Sequence, residues 1–177
     1  LLSNSNDKST MPKIDGCGKA EILSEFEQAK IRKVLSGWHQ IFWDIACYTG
    51  ERWGAICALQ VEDVYENPFR REPHEYVTFR ASTTKTKQTR QVPIHPILGE
   101  RLRAYTPPLS QWLFPSNEGH VTRQAADAFL RVALEKCAYE SKGFSTHSTR
   151  RTFITRLHQR GISVKTIQEI TGHKSLQ

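Results

Sequence analysis

Apolar and polar positions along the chain alternate with three different textures. Ser24-Glu25-Phe26-Glu27 has the spacing of a capping box and opens a helix that runs toward Leu35, with Gly37 as its break. Residues 38–48, WHQIFWDIACY, are nearly continuous in apolar character and predict a buried helix ending at Gly50. A shorter helix is predicted from Trp53 to Leu59. The period then changes to two. Tyr76-Val77-Thr78-Phe79 is β-branched and aromatic, and Arg90-Gln91-Val92-Pro93-Ile94 alternates polar with apolar. The polar run STTKTKQT between them reads as the turn of a β-hairpin, and Pro93 marks a strand end or an edge.

Helical spacing returns at Pro96 and lasts to about Tyr105, before an irregular stretch punctuated by Pro107, Pro108 and Pro115. Thr122 to Ala138 is amphipathic, with Ala126, Phe129, Leu130, Ala133, Leu134 and Cys137 on one side. In THSTRRTFITRLHQRG, residues 146–161, Phe153, Ile154 and Leu157 recur at helical spacing and predict a core-facing stripe. A last helix is predicted from Val164 to Ile170, stopped by Gly172. The expected fold class is mostly α with a small antiparallel β-sheet (α+β). Residues 1–20, rich in Ser, Asn, Asp, Lys and Gly, read as a flexible lead-in or linker, and residues 21–177 as one domain.

Composition adds little except through charge. The 177 residues are 38% hydrophobic, enough for one domain with a core. No apolar run is long enough to span a membrane. The start LLSNSNDKST lacks the charged-then-apolar order of a signal peptide, so a cytoplasmic protein is expected. Cys17, Cys47, Cys57 and Cys137 form no CxxC pair, have no histidine at zinc-finger spacing, and read as free thiols. Lys and Arg number 25 against 18 Asp and Glu, a formal charge of +7. Residues 141–177 hold seven of those cations and the single acid Glu169, a net +6. That concentration points to an anionic partner, most simply double-stranded DNA.

Basic residues also gather at four places. Arg52 follows the Gly50 break, Lys85 lies in the hairpin turn, His147 and Arg150 open the helix at 146, and His173 follows Gly172. Taken singly, each has a plain alternative: a solvated or ion-paired arginine, a solvated basic loop, a helix cap, a satisfied core histidine. Taken together, two arginines, a lysine and two histidines without an acidic cluster suit the binding and activation of a phosphodiester. Guanidinium forks bond the non-bridging oxygens, a lysine protonates a departing oxygen, and a histidine moves protons. No metal or other cofactor is called for, and no paired acids of a two-metal nuclease are evident.

These motifs, in this order, resemble the catalytic domain of the tyrosine recombinases, the lambda-integrase family of DNA strand-exchange enzymes. TGERWGAICAL is similar to the family's first box, TKTKQTRQVPI to its β-hairpin, and THSTRRTFITRLHQRGISVKTIQEITGHKSLQ to its second box. The resemblance covers Ser24 to Gln177. It implies the family's fold, catalytic roles for Arg52, Lys85, His147, Arg150 and His173, and a homo-tetramer on DNA in the full-length protein. It also implies site-specific recombination, such as integration or excision for a phage or mobile element, through a 3′-phosphotyrosine. Lys87, Arg90, Arg123 and Arg151 are candidate DNA-backbone contacts, with an ion pair as the alternative for Arg151.

Three departures accompany the resemblance. The family places its tyrosine beyond the last Gly-His, whereas Tyr48, Tyr65, Tyr76, Tyr105 and Tyr139 all precede it. The chain as given is therefore expected to bind a phosphate without cleaving DNA. The family's acid three residues after the first arginine is here Ala55. Glu51 is expected to point elsewhere, leaving Asp63 as a possible support for the histidine. An N-terminal clamping domain of the family's kind is not expected within residues 1–20, which read as the linker left from it. The alternatives are a non-catalytic DNA-binding relative and a type IB topoisomerase-like enzyme. If Arg150 is a phosphate ligand alone, its removal is expected to leave the thermal midpoint nearly unchanged.

Overall fold

Ser24 caps the first helix as its sequence predicts: its side chain accepts from the Glu27 amide while Glu27 reaches back to the Ser24 amide. The computed structural model describes residues 19–172. In chain order it contains α1 (Glu25–Val34), α2 (Trp38–Thr49), α3 (Trp53–Cys57), β1 (Tyr65–Asn67), β2 (Glu72–Pro73), β3 (Tyr76–Phe79), β4 (Arg90–Pro93) and α4 (Pro96–Ala104). These are followed by β5 (Pro115–Ser116), β6 (Gly119–His120), α5 (Arg123–Lys136), α6 (Ser148–Gln159) and α7 (Val164–Thr171). The mostly helical class is observed. In place of one small sheet there are three separate antiparallel pairs, β1 with β2, β3 with β4 and β5 with β6. Strands of two to four residues are too short to recruit further neighbours.

The core is aromatic at its centre. Phe42 of α2 meets Trp53 of α3, Phe114 and the half-buried Phe129 of α5, each with ring centroids within 5.4 Å. The predicted inner face of α5 is buried through Ala126, Leu130, Ala133 and Leu134. In the β3–β4 hairpin Val77 faces Val92, and Pro93 stands at the strand end, paired with Tyr76.

The predicted stripe of α6 is corrected. Phe153, Ile154 and Leu157 are only half-buried, whereas Ser148, Thr149, Arg150 and Thr152 are buried. α6 packs on α2 and α7, and small hydroxyl side chains allow a close approach provided that each hydroxyl is satisfied. Each is: Ser148 accepts from the Ser145 amide, Thr149 from the Trp53 indole, and Thr152 from the Leu23 amide. The Trp53–Thr149 bond, 3.1 Å long, ties α3 to α6 across 96 residues and sets the two catalytic-box candidates side by side.

The end of the proposed lead-in is held at Ala20 and beyond. Ala20 is buried, the Glu21 amide donates to the Gly143 carbonyl, and Arg151 donates to the Ala20 carbonyl. The rest of that segment lies outside the described residues.

Candidate phosphate-binding site

The site begins at a glycine. Gly50 ends α2 in the left-handed conformation, φ 61°, and its amide closes on the Ala46 carbonyl. A side chain there would collide with Phe153 of α6, so the turn also fixes how closely α6 approaches. Two residues later Arg52 caps α3 without a side-chain bond to the helix. Its guanidinium Nη1 is buried and has no hydrogen-bond partner among the described residues.

Arg52, Lys85, His147 and Arg150 line one cleft of about 330 Å³. Four residues drawn from three distant parts of the sequence are thereby brought together. Thr83, Thr84, Arg123, Thr146 and the Trp53-Gly54-Ala55 turn complete the walls. Lys85 is exposed at the tip of the β3–β4 hairpin. Its loop is organised by Thr84, whose hydroxyl donates to the Gln88 carbonyl at 2.9 Å and accepts from the Gln88 amide at 3.2 Å. At the hairpin base, Arg80 pairs with Asp63 at 2.7 Å and with Glu62. Asp63 also accepts from the Gln60 amide, so its carboxylate is committed to the hairpin rather than to His147.

His147 occupies the N-cap of α6, exposed, with no side-chain capping bond. Arg150, one turn on, is 5% exposed. It donates to the Gly50 carbonyl at 3.0 Å and to the Thr171 carbonyl at 2.7 Å, and lies 3.6 Å from Glu51. Burial and the neighbouring Arg52 charge push its pKa down to about 10, against the pull of Glu51. The guanidinium remains charged at neutral pH, held in place by carbonyls on one side and facing the cleft on the other.

The remaining candidates divide. Arg123, exposed at the start of α5, lines the cleft. Lys87 is exposed in the hairpin turn with a positive φ of 52°. Arg90, expected at the DNA backbone, is instead interior. It occupies an inward position of β4 and forms a buried ion pair with Glu51. Arg151 is half-buried and donates one guanidinium nitrogen to the Ala20 carbonyl, with no ion pair among the described residues. His173 lies outside the described residues. None of the five tyrosines lines the cleft: Tyr65 bonds the Leu102 carbonyl, Tyr48 stacks on His95, Tyr139 is buried, and Tyr76 and Tyr105 lie elsewhere.

The residue sequence reasoning misplaced is Glu51. It lies in the turn between α2 and α3, not on a helix, and is 2% exposed. Its carboxylate accepts from the Arg52 amide at 2.7 Å and faces Arg90 and Arg150. The only signal for this in the sequence is that an acid follows the Gly50 break.

With that geometry in hand, similarity to known proteins is informative. The family model described as "Phage integrase family" matches residues 20–177. The tyrosine recombinase XerD of Corynebacterium glutamicum is 31% identical over 137 residues, 72% of this chain and 42% of that protein. XerD of Rhizobium meliloti is 30% identical over 100 residues, 52% of this chain and 32% of that protein. The chain thus spans less than half the length of these curated relatives. Among solved structures, XerA recombinase aligns with a TM-score of 0.69 at 22% identity, over 88% of this chain and 57% of its own. A lambda integrase dimer bound to a COC′ core site aligns with a TM-score of 0.67 at 19% identity, over 88% of this chain and 45% of its own. The fold is therefore that of the tyrosine recombinase catalytic domains, and the chain belongs to the phage integrase family.

Proposed function

We propose that this chain is the phosphate-binding catalytic domain of a site-specific DNA recombinase, working in the cytoplasm of a bacterium on double-stranded DNA. The observation that carries the reading is the convergence of Arg52, Lys85, His147 and Arg150 on one cleft. A backbone phosphate seated there receives donors from Arg52 and Arg150 on its non-bridging oxygens. These stabilise the charge that builds as phosphorus becomes five-coordinate.

The reaction is a transesterification. A tyrosine oxygen attacks phosphorus. The bond from phosphorus to the 5′-oxygen breaks, a 3′-phosphotyrosyl link forms, and Lys85 protonates the leaving 5′-oxygen. His147 serves proton transfer, and His173 donates to the phosphate. Religation is the reverse attack by a 5′-hydroxyl, so bond energy is conserved and no cofactor is consumed. Arg123 and Lys87 hold flanking phosphates and position the duplex without reading its sequence. In the full-length protein four such subunits assemble on two duplexes.

The test is a denaturant-resistant protein–DNA adduct, formed by the chain extended to include its tyrosine, on duplexes from its own genomic junctions. Adduct is expected with the native chain and is lost in Arg150→Lys, which keeps the charge but not the fork. DNA binding without any adduct would favour a non-catalytic relative. Adduct on every duplex regardless of sequence would favour a type IB topoisomerase-like enzyme.

A further inference from the structure

Arg52 and Arg150 line the cleft with Arg90 buried behind them, and among the described residues the carboxylate of Glu51 lies between these guanidiniums. Glu51 accepts from the Arg52 amide at 2.7 Å, pairs with Arg90 through its other oxygen, and lies 3.6 Å from Arg150 Nη1. Both Glu51 and Arg90 are buried, at 2% and 9% exposure. Among the described residues Arg90 makes no other hydrogen bond: its Nε and Nη1 are buried without partners there. That Nη1 lies against Gly172, where no side chain could fit, at the left-handed turn that ends α7. The preceding carbonyl, of Thr171, is the one that accepts from Arg150. Glu51 and Arg90 therefore form a bridge from the α2–α3 turn, through β4, to the end of α7. Arg150 is packed within it.

We propose that Glu51 and Arg90 are positioning residues for the phosphate site, holding the Arg150 and Arg52 guanidiniums in the orientation that receives a phosphate. This rests on the assignment of the cleft to a phosphate. A buried ion pair is weak evidence of stabilisation by itself, because desolvation offsets the attraction. Here the pair has a geometric consequence. Without the Glu51 carboxylate, the described residues place no negative charge among Arg52, Arg90 and Arg150, and their repulsion pulls Arg52 aside and strains the Gly50 and Thr171 bonds that hold Arg150. Without the Arg90 bond, the carboxylate is drawn to Arg150 and competes with phosphate for it.

The sign of one substitution separates positioning from simple charge. Glu51→Gln raises the positive charge of the site. If charge alone governed binding, it would tighten phosphate; if orientation governs, it weakens it. Arg90→Lys keeps the charge and removes the guanidinium that spans Glu51 and Gly172, and it carries the test should Glu51→Gln fail to fold. The probe is inorganic phosphate, titrated into the native chain and each variant. The response is followed on the side-chain resonances of Arg52 and Arg150. The native chain is expected to respond at both arginines, and each variant to bind about tenfold more weakly, with the free Arg150 resonance already displaced. Equal or tighter binding in the variants would overturn the positioning role and leave the phosphate site standing. No response in the native chain would overturn both.

Discussion

Arg150 donates to the carbonyl of Gly50 across 100 residues of sequence, at 3.0 Å. The bond joins the helix that carries His147 to the turn that carries Arg52, so the cleft is assembled by the same contact that closes the fold. A guanidinium has five donors; Arg150 commits donors to the Gly50 and Thr171 carbonyls and still lines the cleft. This double service changes what its removal should do.

Arg150→Ala is expected to destabilise as well as disarm. It removes the donors to the Gly50 and Thr171 carbonyls and weakens the pairing around Glu51, a loss of about 2–4 kcal/mol. The sequence-based expectation of an unchanged thermal midpoint is thereby replaced by a fall of several degrees. Arg52→Ala should behave oppositely. Its Nη1 has no partner among the described residues, and its charge is among the causes that depress Arg150. Its midpoint should hold or rise while phosphate affinity falls. Thermal melts of the two variants side by side check the contrast.

Gly50→Ala should be among the costliest single-methyl changes in the chain. It imposes a left-handed conformation on a residue with a side chain and places the methyl 2.8 Å from Phe153 Cβ. A loss of about 2–4 kcal/mol is expected from conformation and overlap together, read from urea denaturation. Gly37, also at positive φ but with open space around it, should lose only the conformational part.

Salt dependence reports how many cations meet phosphates. The logarithm of DNA affinity should fall linearly with the logarithm of salt concentration. Arg123→Ala should reduce that slope by about one and weaken all duplexes alike, because the residue touches the cleft wall and no base edge is implied. An unchanged slope would remove Arg123 from the contact set.

The depressed pKa of Arg150 fixes the sign of two further effects. Burial and Arg52 disfavour its cation in the folded chain, so between pH about 10 and the ordinary guanidinium range the unfolded chain binds more protons. Stability linked to this group therefore rises with pH through that window, and the cost is fully present below it. A bound phosphate offsets the cost. Added phosphate at neutral pH should raise the thermal midpoint, and the rise should be smaller in Arg52→Ala.

How much of this was legible in the sequence varies with the kind of interaction. The helices at Glu25, Trp38, Pro96 and Arg123 follow from caps, prolines and apolar periods, which are local. The β3–β4 hairpin follows from alternation and its polar turn. The inward face of α6 was misjudged because periodicity ranks Phe153, Ile154 and Leu157 above threonines. In the fold, close packing with satisfied hydroxyls prevailed. Glu51 and Arg90 were misjudged for a related reason. Charged residues are assigned to the surface by default, and only the meeting of two segments 39 residues apart shows that they bury each other. The tiny β1–β2 and β5–β6 pairs left no periodic signal at two or three residues per strand.

The central claim is that the cationic cleft seats a phosphate of duplex DNA. Its most direct test is the affinity of a short duplex for the native chain and for the Arg52→Ala, Lys85→Ala double variant, both of whose altered side chains face the cleft. Losing two charge-assisted contacts should weaken binding by at least about a hundredfold, with the thermal midpoint preserved. Undiminished affinity in the folded double variant would show that DNA binds elsewhere and would contradict the account.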